Sequence, residues 1–249
     1  MICPALNAAG GLRYHVRALV AGDRWQPFRA ALAGWLEAFE PSSRRLLLVG
    51  PSAGYTFPDR FLQRFEHITL FEPDPLAVWL LSRRLHRLGV QQLHVERGDA
   101  LLRPLLDGRP GLAERMAGDP EACLVFGNLL GQTRFLLSEQ EFALFKVRFN
   151  ERISPLLAGR SWLSFHDRLS GSLAPSFRAP HFAAERLSDP AVLQTLYRSQ
   201  LGTAPAELFD HQSDGFFPSR HPHAYFHWQI DGARHHLIEG VGSFEPRRP

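Results

Sequence analysis

The chain has 249 residues, 45% of them hydrophobic and 21% charged, and its 28 Arg plus Lys against 25 Asp plus Glu give a net charge of +3. That composition excludes a disordered polypeptide, and apolar runs such as 46–49 fall far short of a membrane span. Lys146 is the only lysine, and the arginines cluster only briefly at Arg44/Arg45, Arg83/Arg84 and Arg247/Arg248, so no nucleic-acid partner is expected. Along the chain, Trp25, Phe28, Leu32, Trp35, Leu36 and Phe39 share one helical stripe, predicting a helical extension over 1–43 that starts its main helix near Pro27. From Arg44 short β-type runs alternate with amphipathic stretches. Strands are expected at 46–49, 68–71, 93–95, 122–126 and 162–165, with helices at 59–65, 76–88, 101–116, 139–157 and 190–201. The rhythm is that of βαβ crossovers in a mainly parallel sheet with helices on both faces. At the end, 224–230 and 233–241 flank Asp231-Gly232, a dipeptide suited to a tight hairpin with positive φ. Two long loops, 170–189 and 202–222, are rich in Pro, Gly, Ser and aromatic residues and are expected to cover a site.

Cys3 and Cys123 form neither a disulfide framework nor a zinc spacing, and 1–11 lacks the basic start and apolar stretch of a secretory signal, so a cytoplasmic chain without membrane contact is expected. Chemistry concentrates at strand ends. The run Leu48-Val49-Gly50-Pro51-Ser52-Ala53-Gly54 is a buried strand entering a glycine loop: Gly50 permits a sharp turn and Gly54 a close backbone approach, as for an adenosine-bearing ligand across the strand tips. Glu72 ends the second strand, about twenty residues on, where a carboxylate holds a ribose diol. Asp74 and Pro75 read as a helix N-cap and first turn. Asp99 follows the third strand, and Gly127-Asn128 ends the fourth.

In these residues the sequence resembles the class I S-adenosylmethionine-dependent methyltransferases over roughly residues 44–241. The resemblance implies a Rossmann-like seven-stranded mixed sheet, mostly parallel with an antiparallel terminal hairpin, formed by a domain at 44–249. It implies S-adenosylmethionine as cofactor, with Gly50, Ser52 and Gly54 in the binding loop, Glu72 on the ribose and Asp99 at the adenine. Two positions depart from the superfamily's pattern. Leu48 stands where an acid usually binds the cofactor's ammonium, leaving Tyr14, Arg17 or the Ser52 hydroxyl to do so, and Ser52 stands where a glycine is usual. The fourth-strand end lacks the Pro-Pro-aromatic of the enzymes that methylate nucleobase amines.

The function implied is methyl transfer to a small-molecule or peptide acceptor, with Asn128 orienting the acceptor and His166, expected on the rim after the fifth strand, taking its proton. Two alternatives are a methyltransferase-fold binding or scaffold protein, motivated by Leu48 and Ser52, and an aminopropyltransferase, which would need acids where Leu129 and Leu130 stand. No metal is expected. His223 and His227 alternate with Phe226 and Trp228, which reads as a buried aromatic face and partly wet imidazoles, and no acid but Asp231 lies near in sequence to complete a His-His-carboxylate set.

Overall fold

The computed structural model describes residues 11–198 and 208–244. Cys3, the end of the helix expected over 190–201, the start of the loop expected over 202–222 and the Arg247/Arg248 pair lie outside the described residues.

Nine strands form one sheet: β1 (Arg45–Val49), β2 (His67–Glu72), β3 (Gln92–Arg97), β4 (Cys123–Gly127), β5 (Trp162–Gly171), β6 (His181–Ala183), β7 (Leu208–Asp210), β8 (His223–Gln229) and β9 (His235–Gly242). The order is β3-β2-β1-β4-β5-β9-β8-β6, with β7 pairing separately on the end of β5. The first five are parallel; β9 runs antiparallel to β5 and β8 antiparallel to β9. Strand order reverses between β1 and β4, which opens a crevice at their carboxyl ends, the usual ligand position in a doubly wound sheet. Seven of these strands are the expected mixed sheet. The two extra ones, β6 and β7, have three residues each, too few for an alternation to show in sequence.

Burial explains the strand pattern. Leu46 to Val49 and Cys123 to Gly127 are buried without interruption, because helices cover both faces. On one face α1 (Leu12–Val20) and α2 (Gln26–Glu37) precede β1, and α2 turns Phe28, Leu32, Trp35 and Leu36 inward. Phe28 stacks on Trp228 at 4.7 Å and the Trp25 indole donates to the Ile230 carbonyl at 3.1 Å, so the helical extension packs on the antiparallel half of the sheet. Its core is continuous with Phe61 of the one-turn α3 (Asp59–Leu62) and Leu81 of α4 (Pro75–Arg87). The opposite face is covered by α5 (Leu102–Asp107), α6 (Leu112–Gly118), α7 (Thr133–Leu136) and α8 (Glu139–Arg152), whose Phe142, Phe145 and Phe149 meet Phe216 and Phe217. Each fully buried side chain of this size contributes about 1.5–3 kcal/mol. The short α9 (Asp189–Leu196) closes a third cluster on Tyr225 and Leu237. Among the described residues no helix is long and apolar enough to cross a membrane.

Several expectations need correction. The helix expected over 101–116 is two helices, because Gly108 ends the first in a left-handed cap at φ 69°. The helix expected over 139–157 stops at Arg152, short of Pro155. The fifth strand runs to Gly171, six residues beyond its expected end at Phe165, because β9 and β7 supply partners there. The hairpin between β8 and β9 is not a two-residue turn: neither Asp231 nor Gly232 has positive φ, Ile230 donates its N–H to the Arg234 carbonyl, and the Asp231 carboxylate accepts from the N–H groups of Ala233 and Arg234. An Asx-type turn replaces the glycine-dependent one.

Candidate functional site at the carboxyl end of the sheet

The loop after β1 is coiled by three left-handed residues, Gly50 at φ 64°, Ser52 at 52° and Gly54 at 72°. Ser52 keeps the backbone conformation that a glycine adopts without strain. The close approaches these glycines permit are internal. A Cβ on Gly50 would stand 2.6 Å from the Leu129 Cβ, and one on Gly54 would stand 2.8 Å from Leu81 of α4. After the loop come only turns and the short α3, so no long helix presents its N-terminus here.

Glu72 sits at the tip of β2, 6% exposed, with Oε2 accepting from the Ser52 N–H at 2.8 Å and Oε1 from the Asp74 N–H at 3.0 Å. Burial raises its carboxyl to about 7 against the two N–H bonds, which pull the other way. Asp74 caps α4, accepting from the N–H groups of Leu76 and Ala77, as its sequence context predicts. Its second oxygen faces the buried His15 at 3.1 Å, and the other ring nitrogen of His15 meets the Tyr55 hydroxyl at 2.9 Å. Through these contacts α1 lies over the ends of β1 and β2. Tyr14, beside it, is held well above its usual range, first by burial and then by the negative charge of Asp167, so its hydroxyl stays protonated at neutral pH. Asp99 is exposed and spends both oxygens on the N–H groups of Leu101, Leu102 and Arg103. Leu48 is fully buried, and Arg17 pairs with Asp231 at 3.5 Å.

At the end of β4, Asn128 adopts φ 59°, and its Oδ1 accepts from the Asp167 N–H at 3.0 Å. Its side chain therefore fixes β5. His166 is not on the rim: it lies inside β5, 2% exposed, with Nδ1 on the Ser164 hydroxyl at 3.0 Å, and burial lowers it to about 4. It belongs to a buried charged group on one face of the antiparallel half. There Glu239 faces Arg168 at 3.4 Å, Arg186 at 3.2 Å and His223 Nδ1 at 2.9 Å, beside a cavity of about 10 Å³ that Ser213 also lines. His223, expected to be partly wet, is 2% exposed because Glu239, Arg186 and the segment around Ser213 to Phe217 enclose it.

The other face carries residues that sequence spacing does not connect. Asp167 accepts from His236 Nδ1 at 2.6 Å and from the Gln132 amide, and His211 lies beside them with Nδ1 on the Gly131 carbonyl at 2.7 Å and Nε2 on the Ser170 hydroxyl at 2.9 Å. One donor atom from each of Asp167, His211 and His236 lies within 4.8 Å of the others, and all three residues are buried. The acid missing from the sequence of the tail thus arrives from β5. Beside Tyr55, a hollow of about 380 Å³ opens between α2 and segment 55–58, lined by Arg29, Ala33, Tyr55, Phe57 and Arg84 among others. The described parts of the loops expected as lids are packed into the structure: Leu173, Phe177 and Leu187 join the cluster around Tyr225, and Phe217 stacks on Trp162 at 4.8 Å.

No protein-family model matches this chain, and no curated protein matches it. Among solved structures, an O-methyltransferase family protein from Burkholderia thailandensis aligns over 94% of this chain and 59% of its own, at 11% identity and a TM-score of 0.42. The complex of DhpI with SAH aligns over 93% and 95%, at 11% identity and a TM-score of 0.40. SAM-bound CalS10, an amino pentose methyltransferase from Micromonospora echinaspora, aligns over 62% and 56%, at 20% identity and a TM-score of 0.36. The fold follows from the chain's own strand order, β3-β2-β1-β4-β5-β9-β8-β6.

Proposed function

We propose that this chain transfers a methyl group from S-adenosylmethionine to a small-molecule or peptide acceptor. The observation that carries the reading is Glu72, a carboxylate at the tip of β2 bonded to the N–H of Ser52 in the loop after β1, within a sheet ordered β3-β2-β1-β4-β5-β9-β8. That placement suits a ribose diol in the crevice beyond the strand ends.

The residues present fit the nucleoside half of the cofactor. Each oxygen of Glu72 has accepted one backbone donor and retains a lone pair for a hydroxyl, and three left-handed residues curl the loop beside it. Glu72, with the backbone of 50–54, would hold the ribose. The methionine half has no acid at Leu48, and the neutral Tyr14 hydroxyl is the polar group we assign to it. When bound, the cofactor supplies an activated methyl on a sulfonium. The chain's own part is positioning and exclusion of water: α1 covers the strand ends through His15, and Asn128 holds Asp167 in place. The acceptor we place in the hollow beside Tyr55, where Phe57 and Ala33 offer an apolar wall and the charge of Arg29, which lines it, favours an anionic group.

Saturating S-adenosylhomocysteine is expected to raise the melting temperature by roughly 5 to 10 °C, the shift that binding at a hundred times Kd produces in a chain of this size. Glu72→Gln, which keeps the shape and removes the charge, is expected to weaken affinity by about tenfold or more. Absence of any shift in the wild-type protein sinks the reading in favour of a scaffold; an unchanged affinity in folded Glu72→Gln removes Glu72 from the site.

A further inference from the structure

We propose that Asp167, His211 and His236 form a binding site for a divalent transition-metal ion. The site adjoins Asn128, which accepts from the Asp167 N–H, but the inference requires neither cofactor nor acceptor. Two imidazoles and a carboxylate are a donor set that zinc, iron(II), cobalt(II) and manganese(II) accept.

Three features make this more than a chance grouping. The donors come from, or directly adjoin, three strands paired in one sheet: Asp167 from β5, His236 from β9, and His211 one residue past β7. Their spacing, within 4.8 Å of one another, is therefore set by backbone ladders rather than by mobile loops. A register shift between Asp167 and Leu169 is an irregularity of the kind that re-aims side chains at functional sites.

The surroundings also suit a cation. His211 donates its Nδ1 hydrogen to the Gly131 carbonyl, which leaves Nε2 as a lone pair, now receiving the Ser170 hydroxyl. Asp167 is steadied by the Gln132 amide, and among the described residues its ion pair is with His236 alone. His236, 7% exposed, has one nitrogen on Asp167 and a buried Nε2 with no partner at all. An ion bound between them takes the place of the hydrogen that Nδ1 donates to Asp167; that proton passes to the bare Nε2 or to solvent. Glu239 offers a contrast. It too has two histidines nearby, but Arg168 and Arg186 already neutralise it, and their charge opposes a metal ion.

Cobalt(II) titration of the full chain after chelator treatment and dialysis tests the site, read by visible ligand-field absorption. One cobalt per chain is expected, with bands of nitrogen and oxygen ligation. His211→Gln and His236→Gln should each weaken binding by about a hundredfold or more. The double variant His227→Gln/His235→Gln, which removes the neighbouring histidine pair, should bind as the wild type does. Ser170→Ala keeps all three donors and removes the hydroxyl that occupies His211 Nε2, so it should bind at least as tightly. Circular dichroism establishes that each variant is folded; should the ligand variants unfold, Ser170→Ala and the double variant still decide. No cobalt binding by both the wild type and Ser170→Ala, loss of the bands in His227→Gln/His235→Gln, or retention of full affinity in folded His211→Gln and His236→Gln would each overturn the proposal.

Discussion

The sheet has two halves of different character. From β3 to β4 the strands are parallel and their interior is apolar, with Leu46 to Val49 and Cys123 to Phe126 all buried, and Glu72 at the tip of β2 is the one buried carboxylate there among the described residues. From β5 to β8 the strands reverse direction and bury charge on both faces: Glu239 with Arg168 and His223 on one, Asp167 with His236 and His211 on the other. The parallel half is held by hydrophobic burial, which tolerates substitution of like for like. The antiparallel half adds to its own apolar contacts, Phe28 on Trp228 among them, buried charges that must be matched, so loss of one partner there is abrupt.

The largest effect should come from breaking that match. Glu239→Ala leaves Arg168, 1% exposed, without its buried carboxylate and is expected to cost about 3–5 kcal/mol in denaturant unfolding. Loss of less than about 1 kcal/mol would mean that the two halves do not differ as described.

Acidity separates the halves by sign. His227 is lowered to about 4 by burial and then by His235, so the folded chain resists a proton that the unfolded chain takes near pH 6.5. Its contribution is present above about pH 6.5 and is lost as the pH falls towards 4. Glu72 is raised to about 7, so its contribution is complete below the unfolded value near 4.3 and is lost as the pH rises through 7. Melting curves should therefore show His227→Asn losing part of the acid-side decline, and Glu72→Gln gaining on the wild type as the pH rises from about 5 to about 8. Parallel pH profiles for wild type and Glu72→Gln would remove the parallel half from this account.

The smallest effect lies in the β1 loop. Ser52→Gly relieves a left-handed residue while adding chain entropy to the unfolded state, and a net gain of under about 1 kcal/mol is expected. A loss of stability would mean that the Ser52 side chain makes a contribution its backbone geometry does not explain.

The two halves are unequally legible in sequence. Alternation of buried strands with amphipathic helices, the Asp74 cap and the place of Glu72 at the tip of β2 are local properties, and a local reading finds them. The length of β5 is not local, since residues beyond Phe165 are strand only because β9 and β7 pair with them. For the same reason His166, which sequence places on a rim, lies inside a ladder. Nor can spacing join Asp167 to His236, which are 69 residues apart in the chain, or bring in His211 from an aromatic loop. The signal in the sequence is the density of histidines after residue 210; the missing acid is a matter of topology.

The pairing of β5 with β9 bears on how the chain folds. β5 can join β4 early, but the partner of its other edge comes some 70 residues later, as the separations of 69 and 71 for the Asp167–His236 and Arg168–Glu239 contacts show. Until β9 arrives, that edge is an open strand carrying Asp167 without its His236 partner and Arg168 with only the exposed Asp189 as its carboxylate, and such inward-pointing charges disfavour premature pairing with another chain. Contacts so distant in sequence form slowly, whereas β8 and β9 pair locally, so the late event in folding should be the docking of the β8–β9 hairpin on β5, with Asp167 and Arg168 gaining their buried partners at that step.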